Sequence, residues 1–324
     1  MKELRKRLDG INEEKSQFNL SGDVHDKIIV PWRETHSFVT PLDIIGRNEE
    51  KEMILELLRR SNDGGVGMIG VISILGMGGI GKTVLTQLVY NDDWVNRYVD
   101  LKVWLSMPLG FETENIIRRI LKSLGHKNKD DGLEMLQHIL RSIMWNKRCL
   151  FVMDNVWEVR REDWVEFRNL LRGASEGSKV IVTSRNMSVA SIMGSVRPLN
   201  LTGLSWNDSF TLFVKCAFDQ EQEKNHPDLM EIANAIVKKC WGNPLAVKSL
   251  GSLLYSKYNK TDWAYVRDSE MWQLQTDILP SLRISYDLMP SYLKQCFAYC
   301  SIFLQNCVIS SNDLISLWIS NGLI

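Results

Sequence analysis

The sequence predicts an α/β domain with a parallel sheet covered by helices on both faces, followed by a helical region. Three observations carry this. Short apolar runs alternate with helical patterns from about residue 45 to residue 203, the pattern of strands buried on both faces. After residue 203 the strand-like runs stop. Between them one apolar run passes through a glycine-rich loop, Gly76-Met77-Gly78-Gly79-Ile80-Gly81-Lys82-Thr83, into a helix-like stretch.

Composition sets the class. The 324 residues are 44% apolar and 24% charged, with 39 basic against 39 acidic side chains. That is ordinary for a soluble globular protein of two or three domains. A net charge of zero gives no global pull toward nucleic acid or anionic membrane. The first residues, Met1-Lys2-Glu3-Leu4-Arg5-Lys6-Arg7, lack the apolar core of a signal peptide, and no apolar stretch is long enough to span a bilayer. The six cysteines form no C-x-x-C pair and lie mostly in apolar segments, so they read as buried free thiols. This places the chain in a reducing compartment, the cytoplasm first, with the nucleus or the inner face of the plasma membrane as variants.

Taken in order, residues 3–20 carry Leu4, Leu8, Ile11 and Phe18 near a helical stripe. Residues 21–43 are polar and irregular, with Pro31 and Pro41, and read as a linker. Strands are expected at 70–75, 101–106, 148–153, 179–183 and 197–201, with helices near 48–60, 83–90, 112–124, 131–146 and 162–171. Helices at 206–218, 227–240 and 244–256 follow, and 276–324 is mainly helical.

Chemistry concentrates after the strand ends, where ligands sit in open parallel sheets. A strand, a glycine-rich loop ending Gly-Lys-Thr and a helix form a P-loop. Its amides and the helix N-terminus converge on phosphates. Lys82 would reach the β- and γ-phosphates, and Thr83 would hold Mg²⁺. Cys149-Leu150-Phe151-Val152-Met153-Asp154-Asn155 is an apolar strand ending in an acid, and Asp154 would hold Mg²⁺ opposite Thr83. Asn155 stands where hydrolysing relatives of this type carry a second acid, and an amide cannot take a proton. Arg185, in Thr183-Ser184-Arg185, can sense a γ-phosphate with a forked contact. Asp154 and Arg185 are therefore the candidate catalytic residues. Gly242-Asn243-Pro244-Leu245-Ala246 starts a helix, with Pro244 suited to an early helical position.

Three weaker patterns compete. Gly76, Gly78 and Gly81 also satisfy the dinucleotide pattern G-x-G-x-x-G, with Asp100 near the offset of a ribose-binding acid; the Lys82-Thr83 pair speaks for the P-loop. Gly173-Ala174-Ser175-Glu176-Gly177 reads G-x-S-x-G but stands after a helix and before a strand, so it reads as a polar turn. Cys296 and Cys300 lie one helical turn apart, with no partnering pair to complete a metal site.

In this order the motifs resemble the NB-ARC domain of plant disease-resistance proteins, the nucleotide-binding leucine-rich-repeat receptors of the coiled-coil class. The resemblance covers almost the whole chain. Ile45-Gly46-Arg47 is similar to the family's opening motif, which contacts adenine, and Gly76 to Thr83 to its P-loop. Phe151 to Trp157 resembles the kinase-2 motif, and Gly177 to Arg185 the sensor motif. Gly242 to Ala246 resembles the Gly-Leu-Pro-Leu motif, with Asn243 in the leucine place. Cys296 to Phe303 resembles the motif that opens the winged-helix part.

The resemblance implies a STAND/AAA+-like P-loop NTPase fold. It implies a coiled-coil remnant at 1–20, a linker at 21–43 and a nucleotide-binding domain at 44–203. A helical domain at 204–272 and a partial winged-helix domain at 273–324 would follow. It implies that Ile45, Arg47, Gly76, Gly78, Gly79, Ile80, Gly81, Lys82, Thr83, Val84, Pro244 and Leu245 contact ADP or ATP, with Mg²⁺ on Thr83 and Asp154. Arg47 and Pro244 would bracket the base. ADP would hold the closed state, and ATP would open it for self-association, given the domains this chain lacks. A pathogen effector or guarded host protein would be the upstream partner. The Met-His-Asp motif and the leucine-rich repeats are missing, so the chain resembles a fragment. A degenerate adaptor or decoy, a metabolic P-loop kinase and a winged-helix DNA regulator are the alternatives. The sequence shows no acceptor site or lid for the kinase, and 306–324 holds no basic recognition helix for the regulator.

Overall fold

The structure, a computed structural model, describes residues 34–40, 44–60, 69–108, 110–126, 132–195, 197–219, 222–273, 280–303 and 309–324. The helix expected at 3–20 and most of the stretch 21–43 lie outside them. The chain divides into two units, one of them 34–294 and the other including 295–324.

The larger unit holds a five-stranded, all-parallel sheet. Its strands are β1 (Gly70–Leu75), β2 (Leu101–Ser106), β3 (Cys149–Val156), β4 (Lys179–Ser184) and β5 (Leu199–Asn200), in the order β2-β3-β4-β1-β5. This is the predicted parallel sheet of a P-loop NTPase. Side chains alternate between faces along each strand. Ile72, Ile74, Leu150, Val152 and Ile181 pack on one face against Ile54, Leu58 and Leu85. Phe151, Met153, Val180 and Val182 turn to the opposite face and are wholly buried. Helix 161–170 supplies Trp164 and Phe167 to the buried set, and Phe111 meets both rings edge-on at 6.4 and 6.0 Å.

β3 and β5 differ from expectation. β3 continues past residue 153 through a bulge between Met153 and Val156, where Asn155 takes a left-handed φ of 64°. β5 is two residues long and pairs only Ile74 and Leu75 of β1, because it is an edge strand with one neighbour. Two short helices, Asp93–Tyr98 and Met187–Met193, were not expected, and Lys260–Asp268 lies in the stretch 205–272 that reads as several helices without being one of the clearest. They are too short to show periodicity. Their signal was the cap: Asp92, Asn186 and Asn259 each accept from a backbone amide two residues on.

Helices Trp206–Ala217, Pro227–Lys239, Pro244–Leu254, Lys260–Asp268 and Pro280–Asp287 surround a second core. Phe213, Leu229, Ile236, Val247, Leu250, Trp263 and Ile284 are its centre, and Ile45 and Leu204 pack against its edge. Two of these helices cross at Gly251, where a β-carbon would come 2.6 Å from the β-carbon of Cys216 and 3.1 Å from the Phe213 carbonyl. Only glycine allows that approach.

The smaller unit contains helix Ser311–Ser320, and there Asn321 Nδ2 donates to the Tyr299 hydroxyl at 3.2 Å. Among the described residues no helix is long and apolar enough to cross a membrane.

Candidate functional site: the phosphate loop and its clasp

β1 delivers the chain into the glycine loop, and helix Lys82–Tyr90 leaves it. Gly81 caps that helix at φ 101°, a conformation that costs a β-carbon-bearing residue about 1–2 kcal/mol. Lys82 is the first helical residue, and its side chain curls back over the loop. Its Nζ donates to the carbonyls of Gly76 at 2.7 Å and Met77 at 3.0 Å. Burial, and then the nearby Arg185, bring its pKa down to about 8, opposed by Asp154. The lysine charge is thus costly until an anion compensates it.

Asp154 lies in β3, wholly buried. Thr83 donates to both carboxylate oxygens at 3.0 Å, and Thr183 donates to Oδ1 at 2.6 Å. Burial raises its pKa despite these donors and the Lys82 charge. A buried carboxylate facing a P-loop threonine has the oxygen donors a hard divalent cation requires, so the site fits Mg²⁺. Asn155, next along, is held by its backbone: its N–H donates to the Thr183 hydroxyl at 2.8 Å. Asparagine tolerates the left-handed φ that the bulge imposes, a structural reason for this residue that the sequence did not reveal.

Arg185 follows β4, and its Cζ lies 5.0 Å from the centre of the Trp157 ring. A β-carbon on Gly78 would come within 3.0 Å of that guanidinium. Lys82, Thr83, Asp154 and Arg185 therefore meet at one place. Asp100 does not. It precedes β2, at the opposite end of the sheet, and its carboxylate accepts from the Arg148 amide at 2.7 Å, so it takes no part in a dinucleotide site. Ser175 sits in the turn before β4, where its amide donates to the Lys147 carbonyl at 2.8 Å.

Arg47 has a left-handed φ of 74° and is 6% exposed. Its Nη2 donates to the Ile80 and Thr202 carbonyls, both at 2.8 Å, and Nη1 pairs with Glu50 at 2.6 Å. The guanidinium is therefore a brace between the glycine loop and the chain leaving β5. Ile45 is half-buried against the helical core, and Val84 is half-buried in the helix after the loop.

The helical core reaches the loop through residues 243–245. Asn243 is 2% exposed, and its Oδ1 caps helix Pro244–Leu254 by accepting from the Leu245 and Ala246 amides at 3.0 and 3.3 Å. Its Nδ2 donates to the Gly78 carbonyl at 3.1 Å, and the Leu245 amide also reaches the Gly79 carbonyl at 3.3 Å. Gly79 has φ 75°, and a β-carbon there would lie 2.5 Å from the Leu245 β-carbon. Pro244 is the first residue of its helix, and Leu245 is partly exposed beside the loop. In the sequence Asn243 stood out only as a departure from a motif. An asparagine directly before a proline at a helix start is itself a capping signal.

Residues 47–223 match the NB-ARC domain family. The disease resistance protein RGA2 of Solanum bulbocastanum is 38% identical over 330 residues, covering 99% of this chain and 33% of the relative. The disease resistance RPP13-like protein 4 of Arabidopsis thaliana is 32% identical, covering 98% of this chain and 39% of the relative. The chain spans about a third of the length of such curated relatives. Among solved structures, Cdc6p from Pyrobaculum aerophilum superposes with a TM-score of 0.51 at 13% identity, covering 81% of this chain and 72% of that one. At that identity the likeness speaks for the fold alone.

Proposed function

The chain belongs to the NB-ARC family, and on that premise we propose that it is the adenine-nucleotide switch of a plant disease-resistance receptor, closed on ADP and opened by ATP. The observation that carries this reading is the pair of hydrogen bonds from Asn243 and Leu245 to the Gly78 and Gly79 carbonyls. They fasten the phosphate loop of one core to the first turn of the other. A nucleotide bound there touches both, so its affinity depends on how the two cores are arranged. A ligand shifts such an equilibrium only through different affinity for the two states.

In this reading residues 44–203 bind nucleotide, 204–272 form the helical domain and 273–324 a partial winged-helix domain. Gly76 to Val84 receive the phosphates, and Lys82 charges the loop. Thr83 and Asp154 hold Mg²⁺, which neutralises phosphate charge when bound. Arg185 contacts the terminal phosphate. Ile45, Pro244 and Leu245 line the base, while Arg47 shapes the pocket through Ile80 rather than by lying open to the ligand. The receptor works in the cytoplasm, self-associates when ATP-bound, and answers an effector or a guarded host protein through parts beyond this chain.

Hydrolysis is slow, because the Asn155 amide takes no proton from water. Single-turnover measurements with labelled ATP test both halves of the reading. The chain is expected to bind ATP and convert it slowly. Asn155→Asp, which the left-handed φ tolerates, is expected to speed conversion by at least about tenfold, below the roughly 10²–10⁴ that a well-placed base contributes. Failure to bind ATP would contradict the switch, and unchanged turnover in the variant would contradict the role given to Asn155.

A further inference from the structure

We propose that Trp157 is a positioning residue for Arg185: its ring holds the guanidinium at the glycine loop, and through it the ring raises affinity for ATP and not for ADP. The inference rests on the nucleotide-switch reading above, in which Arg185 contacts the terminal phosphate.

The strand register brings the two side chains together. β3 and β4 run parallel, with Met153 beside Val182 and Val156 beside Ser184. Three steps along β3 match two along β4, the extra residue of a bulge. Each strand then leaves the sheet, at Trp157 and at Arg185. An unbulged ladder would set Val156 beside Arg185 and carry Trp157 one place past it. The end of the ladder is pinned: Ser184 Oγ donates to the Val156 carbonyl at 2.7 Å and accepts from the Asn186 amide at 3.0 Å.

Arg185 is exposed, and packing alone places it. Its Cζ lies 5.0 Å from the centre of the Trp157 ring. A β-carbon on Gly78 would stand 3.0 Å from Cζ, 3.1 Å from Nη2 and 3.3 Å from Nη1, so a flat face of the guanidinium meets the loop there. Among the described residues it makes no ion pair and no hydrogen bond. Lys82 nearby adds like charge. The ring offsets this, since tryptophan is the best of the aromatic faces for a cation. The rest of Trp157 agrees. Its indole N–H is buried with no hydrogen-bond partner among the described residues. A buried tryptophan usually finds one, and phenylalanine would fill the space without the orphan donor. The face of the ring, not its polar end, accounts for tryptophan here.

A guanidinium held by its face keeps its N–H groups for a ligand, and its forked donors match a phosphate. Held in place beforehand, it loses less freedom when the γ-phosphate arrives. ADP brings no γ-phosphate, so its affinity does not depend on the ring.

The test measures the affinity of nucleotide-stripped protein for ADP and for the non-hydrolysed ATP analogue AMP-PNP, both with Mg²⁺. Trp157→Leu removes the aromatic face and keeps apolar bulk. Trp157→Met repeats the change with a more adaptable side chain, and Trp157→Phe restores a face. Leucine and methionine are each expected to lose about fivefold for AMP-PNP, the size of an exposed cation–π contact, and to match the wild type for ADP. Phenylalanine should recover most of the loss. In an Arg185→Ala background Trp157→Leu should cost nothing further, because residues that act through one contact do not add. Unchanged AMP-PNP affinity, equal losses for both nucleotides, or the same loss in the Arg185→Ala background would overturn the inference and leave the switch standing. A wild type that binds neither nucleotide would overturn the nucleotide reading and this inference with it.

Discussion

Lys82→Arg is expected to weaken ADP binding by about 100-fold or more, a loss of about 2.7 kcal/mol, while the unliganded fold keeps its stability. The ammonium sits within the curl of its own loop, 2.7 Å and 3.0 Å from two loop carbonyls. A planar guanidinium is wider and presents its donors in a fixed fork, so it cannot occupy a place shaped for a compact point charge. Arg185 already lies close enough to lower the pKa of Lys82, and a second guanidinium would add like-charge repulsion. Calorimetric titration of nucleotide-stripped protein measures the affinity, and thermal melting without ligand checks the fold. Unchanged affinity would mean that the loop is not the phosphate site.

Asn243→Ala is expected to destabilise the chain by about 2–4 kcal/mol and to weaken ADP binding as well. Two losses add. Removing a helix cap costs about 0.5–2 kcal/mol, and leaving the Gly78 carbonyl without its buried donor costs about 1–3 kcal/mol. Asn243→Ser keeps an oxygen for the cap and cannot reach Gly78, so it should recover about 1 kcal/mol of stability and little of the affinity. Urea denaturation and ADP titration of both variants separate the two contributions. A wild-type midpoint and affinity in Asn243→Ala would show that the junction between loop and helical core carries no energy.

The sheet was legible because strands buried on both faces must be almost wholly apolar at their centres, as Cys149–Met153 and Val180–Val182 are. Lys82 and Thr83 could be read because phosphate binding constrains residue type and spacing together. What escaped is decided by tertiary placement. β5 is short because, among the described residues, β1 is its one neighbour in the sheet. The β3 bulge gives Asn155 a conformational reason that no motif conveys. That Arg47 also bonds the carbonyls of Ile80 and Thr202, which lie far from it in sequence, is likewise a matter of tertiary placement. Asp100 met the spacing of a ribose-binding acid, and only the parallel sheet shows it to lie at the wrong end.

The central claim is that the glycine loop, with its Asn243 clasp, holds a nucleotide as a latch. The most direct measurement is to denature the purified wild-type chain and identify by chromatography what it releases. The account predicts ADP, close to one equivalent per chain. Release of no adenine nucleotide, from protein that is folded before denaturation, would contradict it.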